Sequence, residues 1–244
     1  MINIKSISKK FNEHIVLPDF TFTIESGCFY TIVGPNGCGK STLLNILAGI
    51  SEKDSGDISS SMKGLRIGYV WQDYRSSLFP WLSVTENISF PLKIQGVPSK
   101  QRRDAVENLI SDFGLEINLK KKIYNLSGGQ QQLINILRAL IIRPDLLLLD
   151  EPFSALDQYK SWHIGFELEK MWLKQKSSVF FVSHDVDEAV LLADEIILMN
   201  KDGRIEKTIK NLMPRNRTKD MMTSHEHIGY KKEIVEFMFE QNMK

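Results

Sequence analysis

The chain has 244 residues, enough for one large domain or two small ones, and its 42% apolar and 25% charged residues are ordinary for a globular protein. Its 31 basic and 30 acidic side chains nearly cancel, which argues against a broad polyanion-binding surface and against nucleic acid as the main partner. No apolar run approaches the roughly 18 residues needed to span a bilayer, and Met1-Ile2-Asn3-Ile4-Lys5 lacks the shape of a secretory signal, so work at a membrane is expected to go through a partner.

Ile2–Ile7 alternates apolar and polar side chains, the pattern of a half-exposed strand. A turn over Lys9–His14 follows, then short strands at Ile15–Leu17 and Phe20–Ile24. The period-two spacing of Phe20, Phe22 and Ile24 predicts an antiparallel sheet. Phe11 stands alone on the intervening loop, where its ring could stack on a base or pack under its own hairpin. Phe29–Val33 reads as a buried strand that runs into Gly34-Pro35-Asn36-Gly37-Cys38-Gly39-Lys40-Ser41-Thr42, and a helix closed by Gly49 follows. This stretch fits G-x-x-x-x-G-K-[ST] at Gly34, Gly39, Lys40 and Ser41. Its glycines let the backbone fold so that N–H groups surround anionic oxygens, and the helix N-terminus adds further donors. Lys40 is placed to reach β- and γ-phosphates, and Ser41 to join a Mg²⁺ shell. The expected ligand is a nucleoside triphosphate. Cys28 and Cys38 are expected as free thiols of a reducing cytosol, because a bridge between them would distort the loop.

Ser51–Lys63 is polar and glycine-punctuated, a surface connection of hairpin type. Leu65–Trp71 is the next strand and delivers Gln72 at its carboxyl end, where ligand-binding groups of open α/β sheets gather. A solvated loop residue is the other reading of that glutamine. Gln72–Pro98 carries Tyr74, Phe79, Trp81 and Phe90 and is expected as an apolar loop, either a contact surface or a cover for the local core. Ser99–Phe113 has helical spacing, and Asn118–Tyr124 is basic and expected in solvent. Ser127 is a good N-cap for a helix over Gln130–Ile142, opened by Gly128 and Gly129 and ended by Arg143-Pro144. Leu146–Leu149 reads as a buried strand with Asp150-Glu151 at its end. Adjacent acids there need a cationic partner, which Mg²⁺ at the phosphate loop would supply. Pro152–Asp157 is expected as a loop before a helix that turns Ile164, Leu168, Met171 and Trp172 inward. Ser178–Val182 delivers Ser183-His184-Asp185, and helix Val186–Ala193, strand Ile196–Met199 and the turn Lys201-Asp202-Gly203 complete the alternation. That alternation predicts a parallel sheet covered on both faces. Beyond Asn211 the chain is polar and basic until Ile234, Val235, Phe237, Met238 and Phe239 mark a terminal amphipathic helix. His225 and His227 are expected as solvated side chains rather than a metal pair.

The phosphate loop at Gly34–Thr42, Leu126-Ser127-Gly128-Gly129-Gln130, Leu146–Asp150 with Glu151, Ser154–Asp157 and His184 stand in an order that resembles the ATP-binding-cassette (ABC) ATPases, over roughly Met1 to Thr208. The resemblance implies an α/β fold: a RecA-like P-loop core (1–72 and 144–210) with an antiparallel β flank, an inserted α-helical subdomain at about 73–143, and a tail at 211–244. It implies ATP and Mg²⁺ as cofactors. Gly34, Pro35, Asn36, Gly37, Cys38, Gly39, Lys40, Ser41 and Thr42 would bind the nucleotide, with Phe11 stacked on adenine. Ser41, Gln72 and Asp150 would hold the metal shell. Glu151 would polarise the attacking water, and His184 would hydrogen-bond the γ-phosphate, with Lys40 and Gln72 completing the catalytic set. Ser127, Gly128, Gly129 and Gln130 would act across a head-to-tail dimer on the opposite subunit's ATP, with Asp157 on the loop that crosses it. A lone subunit would lack half of each site.

Within the family, Gln72–Trp81 looks most like the nitrate, sulfonate, taurine and thiamine-precursor importers, and Glu151–Asp157 and His184–Ala189 are similar to bacterial import ATPases. The resemblance implies an ATP-hydrolysing subunit at the cytoplasmic face of the membrane. Its partners would be integral-membrane permease subunits docked on Gln72–Pro98 with Phe79 and Trp81 as anchors, a second ATPase subunit of the same kind, and indirectly a solute-binding protein. An export or lipid-extraction ATPase would share every catalytic residue, and a soluble non-transport ABC protein would dispense with the permease. Two positions depart from the family pattern: Leu133 and Asn135 stand where Arg and Ala are usual, and Cys38 occupies a small-residue position in the phosphate loop.

Overall fold

Three strands of the chain are buried along their whole length, and the fold is built on them. In the computed structural model, which describes residues 1–62 and 64–243, these are β3 (Phe29–Val33), β6 (Leu146–Asp150) and β7 (Ser178–Val182). Continuous apolar runs of this kind suit a parallel sheet covered on both faces. They lie at the centre of a six-stranded sheet with β5 (Ile67–Val70) at one edge and β8 (Glu195–Met199) and β9 (Ile205–Lys210) at the other, in the order β5-β6-β7-β3-β8-β9. All neighbours are parallel except β9, which pairs antiparallel with β8. Alternation along each strand divides its side chains between two cores. Leu147, Leu149 and Phe181 face the helices α6 (Gly128–Leu140) and α7 (Gln158–Gln175). Leu146, Leu148 and Phe180 face α1 (Lys40–Leu47) and a second sheet.

That second sheet is antiparallel, in the order β2-β1-β4. Here the structure corrects the strand boundaries. β1 (Ile2–Phe11) extends into the expected turn and narrows it to Asn12-Glu13, and β2 (His14–Ile24) is one strand rather than two. Pro18 does not break β2 because β2 lies at the sheet edge, where a missing N–H leaves no ladder partner wanting. β4 (Ser55–Ser60) lies in the stretch expected as a connection. It is exposed along nearly its whole length, so it carries no period-two signal.

Between β5 and β6 the expected apolar loop is instead three short helices, α2 (Tyr74–Ser77), α3 (Val84–Ile88) and α4 (Phe90–Ile94), followed by α5 (Ser99–Asp112) and α6. Ser83 and Glu86 form a reciprocal capping box that starts α3. After β7 comes α8 (Val186–Leu192), capped by the Asp185 carboxylate. The terminal helix α9 (His225–Met243) starts well before the expected apolar cluster, and Ile234 and Phe237 pack with Ala189, Val190 and Ile196 in a third core. His227 is 1% exposed, which corrects the expectation of a solvated side chain. No helix among the described residues is long and apolar enough to cross a membrane.

Because β3, β5, β6 and β7 are parallel, their carboxyl ends share one edge of the sheet. Gly34, Gln72, Asp150-Glu151 and Ser183-His184 all leave the sheet there.

Candidate functional site

The phosphate loop is shaped by close backbone approaches. Gly37 and Gly39 adopt φ of 81° and 100°, the left-handed region that a β-carbon disfavours. A β-carbon on Gly34 would stand 2.4 Å from the Met199 carbonyl oxygen, so only glycine lets the loop pass β8. No side chain caps α1, which leaves its first N–H groups directed into the loop. Lys40 is 5% exposed, and its Nζ donates to the Gly34 and Pro35 carbonyls at 2.7 and 2.8 Å. A buried ammonium needs such acceptors, and here the loop's own backbone supplies them. Asn36 is exposed at the loop's crest, and Thr42 is half-buried in the first turn of α1. Cys38 is a free, buried thiol whose pKa burial pushes above its ordinary value, against the opposing pull of Lys40.

Ser41 Oγ donates to Asp150 Oδ1 at 3.0 Å, joining α1 to the end of β6. Burial raises the Asp150 carboxyl above the usual range; the Ser41 bond works against this and the neighbouring Glu151 adds to it. Tyr69 is a residue the sequence did not mark. Its Oη lies 3.0 Å from Asn45 Oδ1 and 3.5 Å from Asp150 Oδ2, tying β5, α1 and β6 together.

Glu151 holds φ at 42°, a left-handed turn that costs a non-glycine residue about 1 kcal/mol. Its N–H bonds the Val182 carbonyl at 3.0 Å, so the turn is pinned to β7. The carboxylate Oε2 accepts from Gln72 Nε2 at 3.0 Å and lies 3.2 Å from His184 Nδ1. The ends of three adjacent strands thus meet on one carboxylate oxygen.

Phe11 sits at the β1–β2 hairpin with its ring 49% exposed and Lys9 Nζ 5.4 Å from its centroid. Ser127 caps α6 in a reciprocal box with Gln130. A β-carbon on Gly128 would stand 2.8 Å from Tyr74 Oη, and one on Gly129 would be 3.6 Å from the side chains of α7. No hydrogen bond among the described residues joins this pentapeptide to the phosphate loop. Asp157 caps α7 and pairs with Lys160, which holds its carboxyl below the usual range. So the chain brings together the phosphate loop, Gln72, Asp150, Glu151 and His184, and holds Ser127–Gln130 apart on the helical segment.

A partly buried polar link that the sequence did not reveal joins α6 to α2. Asn135 Oδ1 accepts from Ser77 Oγ at 3.2 Å and from Arg138 Nη2 at 2.9 Å, while Arg138 Nη1 donates to the Ser77 carbonyl at 2.6 Å.

Residues 17–154 match the profile of a family described as ABC transporter. The chain is 38% identical to the aliphatic sulfonates import ATP-binding protein SsuB of Bacillus cereus over 231 residues, 90% of this chain and 89% of that protein. It is 33% identical to the taurine import ATP-binding protein TauB of Escherichia coli over 252 residues, 99% of this chain and 98% of that one. The fold superposes with a TM-score of 0.73 and 30% identity on the ATP-binding cassette MJ0796, solved as a dimer in a post-hydrolysis state bound to ADP and Pi, covering 88% of this chain and all of that one.

Proposed function

The chain belongs to the ABC transporter family of ATPases, and we propose that it energises an importer for a small sulfonate- or taurine-like solute. It binds and hydrolyses ATP, as an ABC cassette does. The observation that carries the site reading is the convergence of Gln72, Glu151 and His184 on one oxygen beside the loop that holds Lys40. We read residues 73–143 as the helical insert and 211–244 as an appended tail.

In this reading Lys40 exchanges the Gly34 and Pro35 oxygens for those of the β- and γ-phosphates, and Phe11 stacks on the adenine. The backbone of Gly34–Gly39, with Ser41 and Thr42, cradles the phosphates at the start of α1. The donor set also fits Mg²⁺: a hydroxyl and a buried carboxylate face each other 3.0 Å apart, hard oxygens at the point where phosphate oxygens arrive. Ser41, Asp150 and Gln72 would hold it. The ion would supply positive charge for the oxygens of the transferring phosphoryl group. Water attacks the γ-phosphorus, its proton passes to the Glu151 carboxylate, and the bond to the β–γ bridging oxygen breaks to leave ADP and phosphate. His184 exchanges its contact with Glu151 for a hydrogen bond to the γ-phosphate.

Ser127, Gly128, Gly129 and Gln130 serve the opposite subunit's ATP, with Asp157 near the shared interface. Support comes from their separation from the chain's own loop and from the dimeric cassette it resembles. Integral-membrane permease subunits dock on the α2–α4 segment, where Trp81 is 67% exposed and packs tilted against Phe79, ring centroids 5.6 Å apart. A solute-binding protein delivers the cargo, and the chain works at the cytoplasmic face. The test is Glu151→Gln in the chain purified with its co-encoded permease. Turnover should fall by about three orders of magnitude or more, with ATP affinity retained and a stable closed dimer. Near-normal hydrolysis would remove Glu151 as the base, and turnover unmoved by sulfonates would remove the solute class.

A further inference from the structure

The segment after β9 carries buried charged side chains. Arg217 is 3% exposed and His227 1%, and both are spent on α8. Arg217 Nη1 donates to the carbonyls of Val190, Leu191 and Ala193 at 3.0, 2.8 and 2.8 Å, and Asn211 Nδ2 donates to those of Val190 and Ala193 at 2.7 and 3.1 Å. These are the carbonyls that a helix C-terminus leaves without partners. At the other end of α8, Asp187 Oδ1 receives His227 Nε2 at 2.9 Å and Asp187 Oδ2 receives Lys231 Nζ at 2.8 Å. Ile234 and Phe237 of α9 close the apolar seam on Ala189 and Val190. The tail is anchored in turn by Glu169 of α7, 2% exposed, which accepts from the Arg217 N–H at 3.0 Å and from Arg215 Nη1 at 3.3 Å.

The helix so held is short. Two turns of helix are marginal without tertiary support, and α8 begins directly after His184-Asp185. Asp185 Oδ1 accepts from the N–H groups of Asp187 and Glu188 at 2.8 and 3.2 Å, and Ser183 Oγ donates to Glu188 Oε2 at 2.6 Å. His184 therefore sits on a two-residue bridge, Ser183-His184, between the end of β7 and the cap of α8. Any shift of α8 moves its imidazole.

We propose that the C-terminal segment is a brace for α8, and that Arg217, His227 and Lys231 are positioning residues that set His184 for the γ-phosphate. This rests on the reading of His184 given above. Removing one anchor should leave ATP binding at the phosphate loop untouched and let the His184–Ala193 stretch fluctuate.

The experiment compares the full chain with His227→Leu, Lys231→Met and His184→Ala, by amide hydrogen exchange with and without MgATP and by steady-state turnover. Lys231 is largely exposed, so Lys231→Met keeps the test available should His227→Leu fail to fold. Exchange over residues 184–193 should rise about tenfold in the brace variants, the rate equivalent of one lost charged hydrogen bond. Exchange over residues 34–42 should stay unchanged. Turnover should fall severalfold with the KM for ATP unaltered, and Lys231→Arg should restore both. Unchanged exchange over 184–193, or loosened exchange with full turnover, would overturn the brace. Full turnover by His184→Ala would instead remove the reading of His184, a result distinct from a slow His184→Ala beside fully active brace variants.

Discussion

Cys38 shows how a single side chain reports on the state of the loop. Its thiol is 2% exposed, and burial raises its pKa, so less of it is thiolate at neutral pH than of an ordinary cysteine. Lys40 Nζ, 3.9 Å away, opposes that rise without cancelling it. A bulky maleimide should label the buried Cys38 more slowly than the less buried Cys28, and MgATP should slow it further. Stoichiometric labelling at Cys38 should stop turnover. Peptide mass spectrometry read beside the ATPase rate checks this; full turnover by a chain labelled at Cys38 would show that the loop tolerates the adduct. The loop itself was legible because its chemistry is written in consecutive residues. Tyr69 was not. Its partners Asn45 and Asp150 stand 24 and 81 positions away, and nothing local distinguishes a strand tyrosine that bonds a carboxylate from one that only packs.

At the scale of elements, the strands buried on both faces were readable from their apolar runs, and the polar strands β4 and β9 were not. β4 is too polar to show alternation, and β9 exposes most of its length. The α2–α4 stretch was missed for a different reason. Helices of four or five residues are too short to show a 3.6-residue period, although Ser83 and Glu86 at capping-box spacing were there to be read. How α2 is tied to α6 depends on Arg138, whose guanidinium burial pushes down to about 10, still charged at neutral pH. It bonds the Ser77 carbonyl and Asn135, and lies 5.9 Å from the Phe79 ring centroid. The departure from the family pattern at Asn135 thus supplies an acceptor where alanine has none. Arg138→Met should cost about 2 kcal/mol, because it removes the charged donor to the partly buried Ser77 carbonyl and one of the two donors to the Asn135 amide oxygen. Denaturant unfolding measures that loss. A change below about 0.5 kcal/mol, the range of ordinary surface substitutions, would mean that water replaces the guanidinium.

For the whole molecule, the geometry of one chain argues for two. Every group proposed to touch the phosphates from the core converges at one sheet edge, while Ser127 and Gly129 stand on the helical segment with no hydrogen bond to that edge among the described residues. If a neighbour completes the site head-to-tail, two defective chains can repair each other. Lys40→Ala disables a chain's phosphate loop and leaves its Ser127 intact; Ser127→Arg does the reverse. In a mixed pair, one site combines both defects and the other has neither. Each variant alone should be nearly inactive. An equal mixture that exchanges subunits freely should form about half mixed pairs, each with one sound site of two, and recover about a quarter of the parent turnover if the sites act independently. The recovery should vanish when Glu151→Gln is added to the Ser127→Arg chain, because that chain supplies the base of the sound site, and should persist when it is added to the Lys40→Ala chain. A site completed within one chain predicts no recovery in any mixture, so this asymmetry separates the two arrangements without a structure of the pair.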